Sequence, residues 1–252
     1  MFGYSKTGAS NTLAILNELS RVDSAATLKH EQPDIAMSRS PSQNDKYLRL
    51  LRGLPPRLYI YILVDIFFDQ VNWQYSIIDR NYFMSQLRDF YEVSHSIFSE
   101  EQVNISSDVY TFPSLLFQVV GCTFQFLPPD YDRSLGDLCM GRSFDDLAKS
   151  YSDSGIELLA LFDKESLNLI SVQAGFLRIT LLKSFGYVVE AYRMVGQVIR
   201  DAEEVGLHLD DNNLRADSVE LTPSRLWYHE IRRRVMVNLF LWDRYVIRFS
   251  VQ

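Results

Sequence analysis

Apolar residues return every three or four positions along most of this chain, and that spacing predicts helices rather than strands. In LPPRLYIYILVDIFFDQV two prolines open a segment whose Tyr59, Leu63, Ile66 and Phe67 share a helical face. The second half of WQYSIIDRNYFMSQLRDFYEV predicts another helix. SSDVYTFPSLLFQVVGCTFQFL predicts a third, with Pro113 near its start and Pro128-Pro129 beyond its end. Ser143-Phe144-Asp145-Asp146 has the form of a capping box and opens a helix through Leu161. LNLISVQAGFLRITLLKSFG and YVVEAYRMVGQVIRDAEEVG form a helix pair around Gly186. In the second member Val188, Tyr192, Val195, Ile199 and Ala202 line one continuous face. The last helix starts at Thr222-Pro223 and is apolar on nearly all sides from Val235 onward, as in helices enclosed by others. Alternating runs and Asn-Gly or Asp-Gly hairpin turns are missing. The pattern gives an all-α chain of antiparallel helix pairs, packed as a solenoid-like array or a bundle.

The first 45 residues follow a different pattern. NTLAILNELS predicts a short helix capped by Ser10 or Asn11, and residues 20–45, rich in Ser, Asp, Pro and Gln without periodicity, read as a flexible linker. The chain therefore divides into residues 1–45 and a helical domain over residues 46–252.

With 252 residues, 47% of them hydrophobic, the chain can bury a sizeable core. Its net charge of -7 repels DNA phosphates, so nucleic-acid contact would need a local basic patch. Arg225 to Gln252 is such a basic stretch, but Asp201 to Glu220 just before it is acidic, and pairing between these neighbours is the expectation. Cys122 and Cys139 are not closely spaced, and His30, His95, His208 and His229 are scattered, so no zinc-ligand set forms and both cysteines read as reduced and buried. No signal peptide is visible, and the apolar runs are broken by Asp65 and Asn238, which gives a soluble chain without a membrane span. Asp145-Asp146 resembles the start of the aspartate motif of helical terpene-forming enzymes, yet the later acid is missing. No Gly-x-Ser-x-Gly elbow or Walker loop occurs. No catalytic residue, cofactor site or metal site is assigned.

One phrase is more specific. GQVIRDAEEVGLHLD, Gly196 to Asp210, reads as a helix end with Gly206 as the C′ residue and Leu207 packing back on the last turn. Gly196 lies inside the helix, where the expected compensation is close approach of a neighbouring helix. With Tyr192, Ile199, Arg200, Ala202, His208 and Asp210, these residues resemble the hallmark of the fungal-specific transcription factor domain, the middle homology region of fungal zinc-cluster regulators. HEIRRRVMVNLFLWDRYV resembles that family's second motif through Glu230, Arg232, Arg233, Arg234, Phe240, Asp243 and Arg244, although Met236 and Val237 stand where tryptophan is common. The segment from Leu54 to Phe83 resembles the domain's opening.

The resemblance implies a nuclear regulatory domain that modulates transcription by RNA polymerase II. Zinc and promoter DNA would be bound through a six-cysteine cluster that this chain lacks, and partners would be co-regulator proteins or a small-molecule effector. The chain looks like the N-terminal part of such a domain. The alternative is a helical protein-interaction scaffold unrelated to transcription.

Within the motifs, Glu230 and Arg234 stand in the favourable i,i+4 order. Arg232, Arg233 and Arg234 point about 100° apart, so structural pairing is expected of them rather than one basic patch. An interhelical salt bridge is expected of Asp243, with one of the upstream arginines as its partner. His208 is expected to cover the last helical turn.

Overall fold

The structure is a computed structural model that describes residues 41–98, 106–127, 135–139, 141–209 and 223–250. The predicted helix over residues 11–20, the linker up to residue 40, the acidic residues 210–220, Pro128-Pro129 and Thr222 lie outside these residues. Eight helices form, and no strand occurs among the described residues. They are α1 (Pro41–Leu51), α2 (Arg57–Ile66), α3 (Arg80–Phe98), α4 (Ser107–Phe126), α5 (Phe144–Leu159), α6 (Leu169–Ser184), α7 (Val188–Glu204) and α8 (Pro223–Ser250), with a single helical turn at Gly136–Cys139. The first helix opens at Pro41, inside the segment expected to be linker.

Helix α4 organises the rest. Its residues from Phe112 through Phe124 are buried on every side, and it packs against α2, α3, α5 and α6. A helix apolar all round is the expected centre of such an arrangement, which makes this tier a bundle rather than a linear array. The approach of α5 to α4 is close because glycine faces α4 and α5 in turn. A Cβ at Gly121 would lie 2.9 Å from the Ala148 carbonyl, and one at Gly155 would lie 2.9 Å from Phe117 Cβ and 3.0 Å from the Ser114 carbonyl. The polar groups trapped in this interface are paired: Gln118 Nε2 donates to the Ser152 carbonyl at 2.8 Å, and Ser152 Oγ donates to Gln118 Oε1 at 2.5 Å. Arg178 of α6 donates to Ser152 Oγ at 2.9 Å and binds Asp153 at 2.6 Å, which joins a third helix to the pair. Unpaired, each buried amide or hydroxyl would cost about 1–3 kcal/mol.

Helices α6, α7 and α8 form a second tier. The α6–α7 hairpin turns at Gly186, whose φ is +81°, with Gly186 N–H donating to the Lys183 carbonyl and Tyr187 N–H to the Leu182 carbonyl. The buried stripe of α7 is Ala191, Val195, Val198 and Ala202. Tyr192, expected on that stripe, is 43% exposed: the small Ala191 sits inward, and the bulky ring takes the edge.

Helix starts follow capping chemistry, with one reassignment. Ser143 Oγ accepts from Asp146 N–H at 3.1 Å, but Asp146 accepts back from the Ser143 hydroxyl and not from its N–H, so only half of the expected capping box forms. The full reciprocal box is at Asn168 and Ser171, which opens α6. Asn168 Nδ2 also donates to Asp108 and to Thr111, both at 2.8 Å, locking the start of α6 to the start of α4.

Candidate functional site

The sequence-predicted motif residues fall on α7, the turn after it, and α8. Helix α7 ends as expected. Gly206 has φ +74°, its N–H donates to the Glu203 carbonyl, and Leu207 N–H donates to the Ala202 carbonyl while its side chain is buried. This motif leaves the Gly206 carbonyl pointing away from α7. Arg232 of α8 takes it up, with Nη2 donating to it at 2.5 Å and the guanidinium 5.6 Å from the Tyr228 ring centre. The cation lies just past the C-terminus of α7, where the helix dipole favours positive charge. The two motif segments therefore meet at a charged hydrogen bond, beside the packing of α7 against α8.

The other two arginines stay on their own helix. Arg233 Nε and Arg234 Nε donate to Glu230 at 2.9 and 2.7 Å, and these two hydrogen bonds hold the Glu230 carboxyl down to about 2. Arg200 donates to Gln197, which in turn donates to Asp201, along the outer face of α7. His208 and Arg244 are exposed.

Three expectations are corrected. Among the described residues Gly196 meets no neighbouring helix: a Cβ there would touch its own helix's Arg200, at 3.6 Å. Close approach to α7 is made instead from the other side, where a Cβ on Gly175 of α6 would lie 2.7 Å from Val198. The interhelical salt bridge expected of Asp243 does not form among the described residues. Arg232, Arg233 and Arg234 share its helix, nine or more residues away at 1.5 Å each, and lie beyond its reach. Helix α8 is not enclosed beyond Val235. Ile231, Val235, Met236, Leu239 and Trp242 face inward, but Val237, Phe240 and Leu241 are 44%, 50% and 61% exposed.

Sequence reasoning missed a cleft of about 310 Å³ between the segment after α2, the C-terminal ends of α4 and α6, and α8. Its near wall is irregular backbone. A π-helical turn at Phe67–Val71 runs into a 3₁₀ turn at Asn72–Gln74, and Ser76 then takes φ +49°. Such turns inside helices are common at functional sites. Three side-chain amides from three elements pin this segment. Asn72 Nδ2 donates to the Ile78 carbonyl at 2.9 Å, Gln173 Nε2 to Ile77 at 2.6 Å, and Asn238 Nδ2 to Tyr75 at 3.1 Å. Asn72 Oδ1 and Gln173 Oε1 are left buried without a partner among the described residues. Tyr75, Phe176 and Trp242 meet edge to face, with ring centres 5.2 to 6.0 Å apart. Lys183 Nζ lies 5.9 Å from the Trp242 ring centre. Nothing in the sequence pattern announces this site, because its members are spread from Phe67 to Trp242.

Both cysteines are buried and free. Burial pushes the Cys122 thiol up to about 12. Among the described residues no group of three or more His, Cys, Asp or Glu is placed to hold a metal ion. No described helix is long and apolar enough to cross a membrane.

Comparison with known proteins supplies the family. No solved structure matches. The transcription factor xilB of Penicillium rubens is 24% identical over 250 residues, which is 98% of this chain and 34% of that protein, so the chain spans about a third of the length of the curated relative it matches. The model of the fungal specific transcription factor domain matches residues 64–247, from within α2 to the end of α8, and the chain belongs to that family.

Proposed function

We propose that this chain is the regulatory, non-reader part of a fungal zinc-cluster transcription factor that modulates transcription by RNA polymerase II in the nucleus. Family membership makes it a regulatory domain of a fungal transcription factor. The non-reader part of the proposal rests on one observation: the Arg232-Arg233-Arg234 run of the motif is committed within the fold. Arg232 holds the turn after α7, and Arg233 and Arg234 hold Glu230. A reader must instead offer its cations to phosphates. Zinc and promoter DNA are then matters for the rest of a longer protein. No catalytic activity is assigned to the chain.

The test fuses the chain to a heterologous DNA reader and measures a reporter in a fungal nucleus. The reader with the chain should change reporter output relative to the reader alone. Unchanged output, with the fusion present at equal abundance, would refute regulation. Tight, sequence-selective DNA binding by the chain without the reader would refute its non-reader role.

A further inference from the structure

We infer that the outer face of α8 from Arg233 to Arg244 is a docking surface for an acidic amphipathic helix of a partner protein. As a co-regulator surface this rests on the regulatory reading above; as a docking surface it stands on α8 alone. The face has a fixed order. Arg233 and Arg234 come first, Val237 one turn later, Phe240 and Leu241 after another turn, and Arg244 after a third. Positions 233, 237, 240 and 244 advance by four, three and four residues, and 234, 237, 241 and 244 by three, four and three. All six side chains therefore share one stripe of the helix, and all are exposed. A partner helix covers such an apolar strip with its own apolar residues at the same spacing.

The charge of the partner follows from the two ends of the strip. At its start one carboxylate, Glu230, answers two guanidinium groups, so this triad keeps one net positive charge. At its end Arg244 has no ion pair among the described residues. Asp243, beside it in sequence, is half-buried and lies about 100° round the helix, off the stripe. The stripe thus reads cation, apolar, apolar, cation, with about 15 Å of helix between Arg234 and Arg244.

Three occupants can be compared against that order. A second copy of this chain would set the same cations against themselves, and like charges across an interface suppress pairing. A phosphate backbone would leave the apolar strip uncovered. A helix carrying acid, apolar, apolar, acid at the same steps matches both the charges and the strip. The order is the same read from either end, so this partner fits in either direction. The apolar strip supplies the affinity, and the exposed cations select the partner.

The experiment titrates the purified chain into a labelled, end-capped, alanine-based peptide and reads fluorescence anisotropy. At about 20 residues the peptide is long enough to be helical, and it carries glutamate, leucine, phenylalanine and glutamate at steps of four, three and four. One control peptide has lysine for both glutamates; the other has serine for the leucine and the phenylalanine. The acidic peptide should bind with a Kd of about 100 μM or tighter, at least about tenfold better than either control, and should weaken between about 50 and 500 mM salt. Arg244→Glu, at an exposed position without an ion pair, should fold normally, lose about tenfold for the acidic peptide and gain affinity for the lysine peptide. The double variant Phe240→Ser, Leu241→Ser should abolish binding while circular dichroism shows the helices retained. No acidic-peptide binding at about 1 mM, equal binding of the acidic and lysine peptides, or an Arg244→Glu variant with unchanged preference would each overturn the proposal. So would a concentration-dependent dimer that the double variant abolishes, or displacement of the peptide by duplex DNA. A chain that changes the reporter but does not bind the acidic peptide sinks only the docking surface. A chain that binds it but leaves the reporter unchanged sinks only the regulatory reading.

Discussion

Gly155 and Gly196 both sit inside helices, where replacing glycine by alanine gains up to about 1 kcal/mol from backbone and propensity effects. Their surroundings give opposite outcomes. At Gly155 the added methyl would lie 2.9 Å from Phe117 Cβ, 3.0 Å from the Ser114 carbonyl and 2.7 Å from Gln118 Nε2. The first two atoms are fixed to the backbone of α4, so α5 must retreat by several tenths of an ångström. Overpacking of that kind costs about 1–3 kcal/mol. The retreat also stretches the Gln118–Ser152 hydrogen bonds that close the same interface. After the propensity gain, Gly155→Ala should lose about 1–2 kcal/mol.

At Gly196 the same methyl meets only Arg200 Nη1 at 3.6 Å, an ordinary contact with the mobile end of a long side chain. Gly196→Ala should therefore gain about 0.5–1 kcal/mol. For a chain of this size the two variants should melt about 4–10 °C apart, with the parent between them. Urea unfolding followed by far-UV circular dichroism measures the difference, and equal m-values license the comparison. A Gly196→Ala variant that loses more than about 1 kcal/mol would refute the reasoning, because it would mean a packed neighbour on that face of α7. If the variant is stabilised yet fails in the reporter assay, Gly196 acts on function and not on packing.

Arg232→Ala should cost about 1–3 kcal/mol, since it strips a charged hydrogen bond from the Gly206 carbonyl; Arg232→Lys should recover less than half, as read by the urea midpoint. Asn168→Ala should lose about 2 kcal/mol, because it removes the α6 cap and both links to Asp108 and Thr111 at once, whereas Ser143→Ala, an exposed single cap, should lose about 1 kcal/mol or less. Burial raises the folded-state Cys122 thiol above its unfolded value, so its contribution to stability is fully present below about pH 8.5 and is lost as pH rises towards about 12; Cys122→Ala should flatten that alkaline decline. In the native state Cys122 should react with a thiol reagent only as fast as the chain opens, and rapid labelling at neutral pH would contradict its burial.

The helices were legible because burial imposes a period, and that period survives in a single sequence. Prolines before α2 and α8 and the glycines ending α6 and α7 marked boundaries through local backbone chemistry alone. Where the reading failed, the deciding partner lay elsewhere in the chain. Gly175, and not Gly196, carries close approach to α7, and nothing within either helix distinguishes the two. Ala191 outcompetes Tyr192 for the inward position because of the space α6 leaves. The interhelical salt bridge expected of Asp243 needs an arginine of another helix beside it, and none pairs with it among the described residues. The π-helical turn at Phe67–Val71 follows a stretch indistinguishable by pattern from ordinary helix. The buried amide Gln173 and the half-buried Asn238 show their role only once the carbonyls of residues 75–78 are placed.

That division also separates the two halves of α8. The motif that made the family recognisable lies in its first half, and there the charged groups are structural: Glu230 gathers Arg233 and Arg234, and Arg232 fastens the helix to the turn after α7. The second half carries few such commitments. On its inner side Asn238 and Trp242 reach the irregular segment and the cleft; on its outer side Val237, Phe240 and Leu241 are half exposed. As far as Trp242 its second half is held by apolar burial, through Met236, Leu239 and Trp242, together with the Asn238 amide. Arg232→Ala should loosen α8 at the turn after α7 and lower stability, whereas Lys183→Gln, at an exposed position, should leave the melting temperature within about 1–2 °C of the parent. If the two variants instead behaved alike, the Arg232 hydrogen bond would not be what fastens α8.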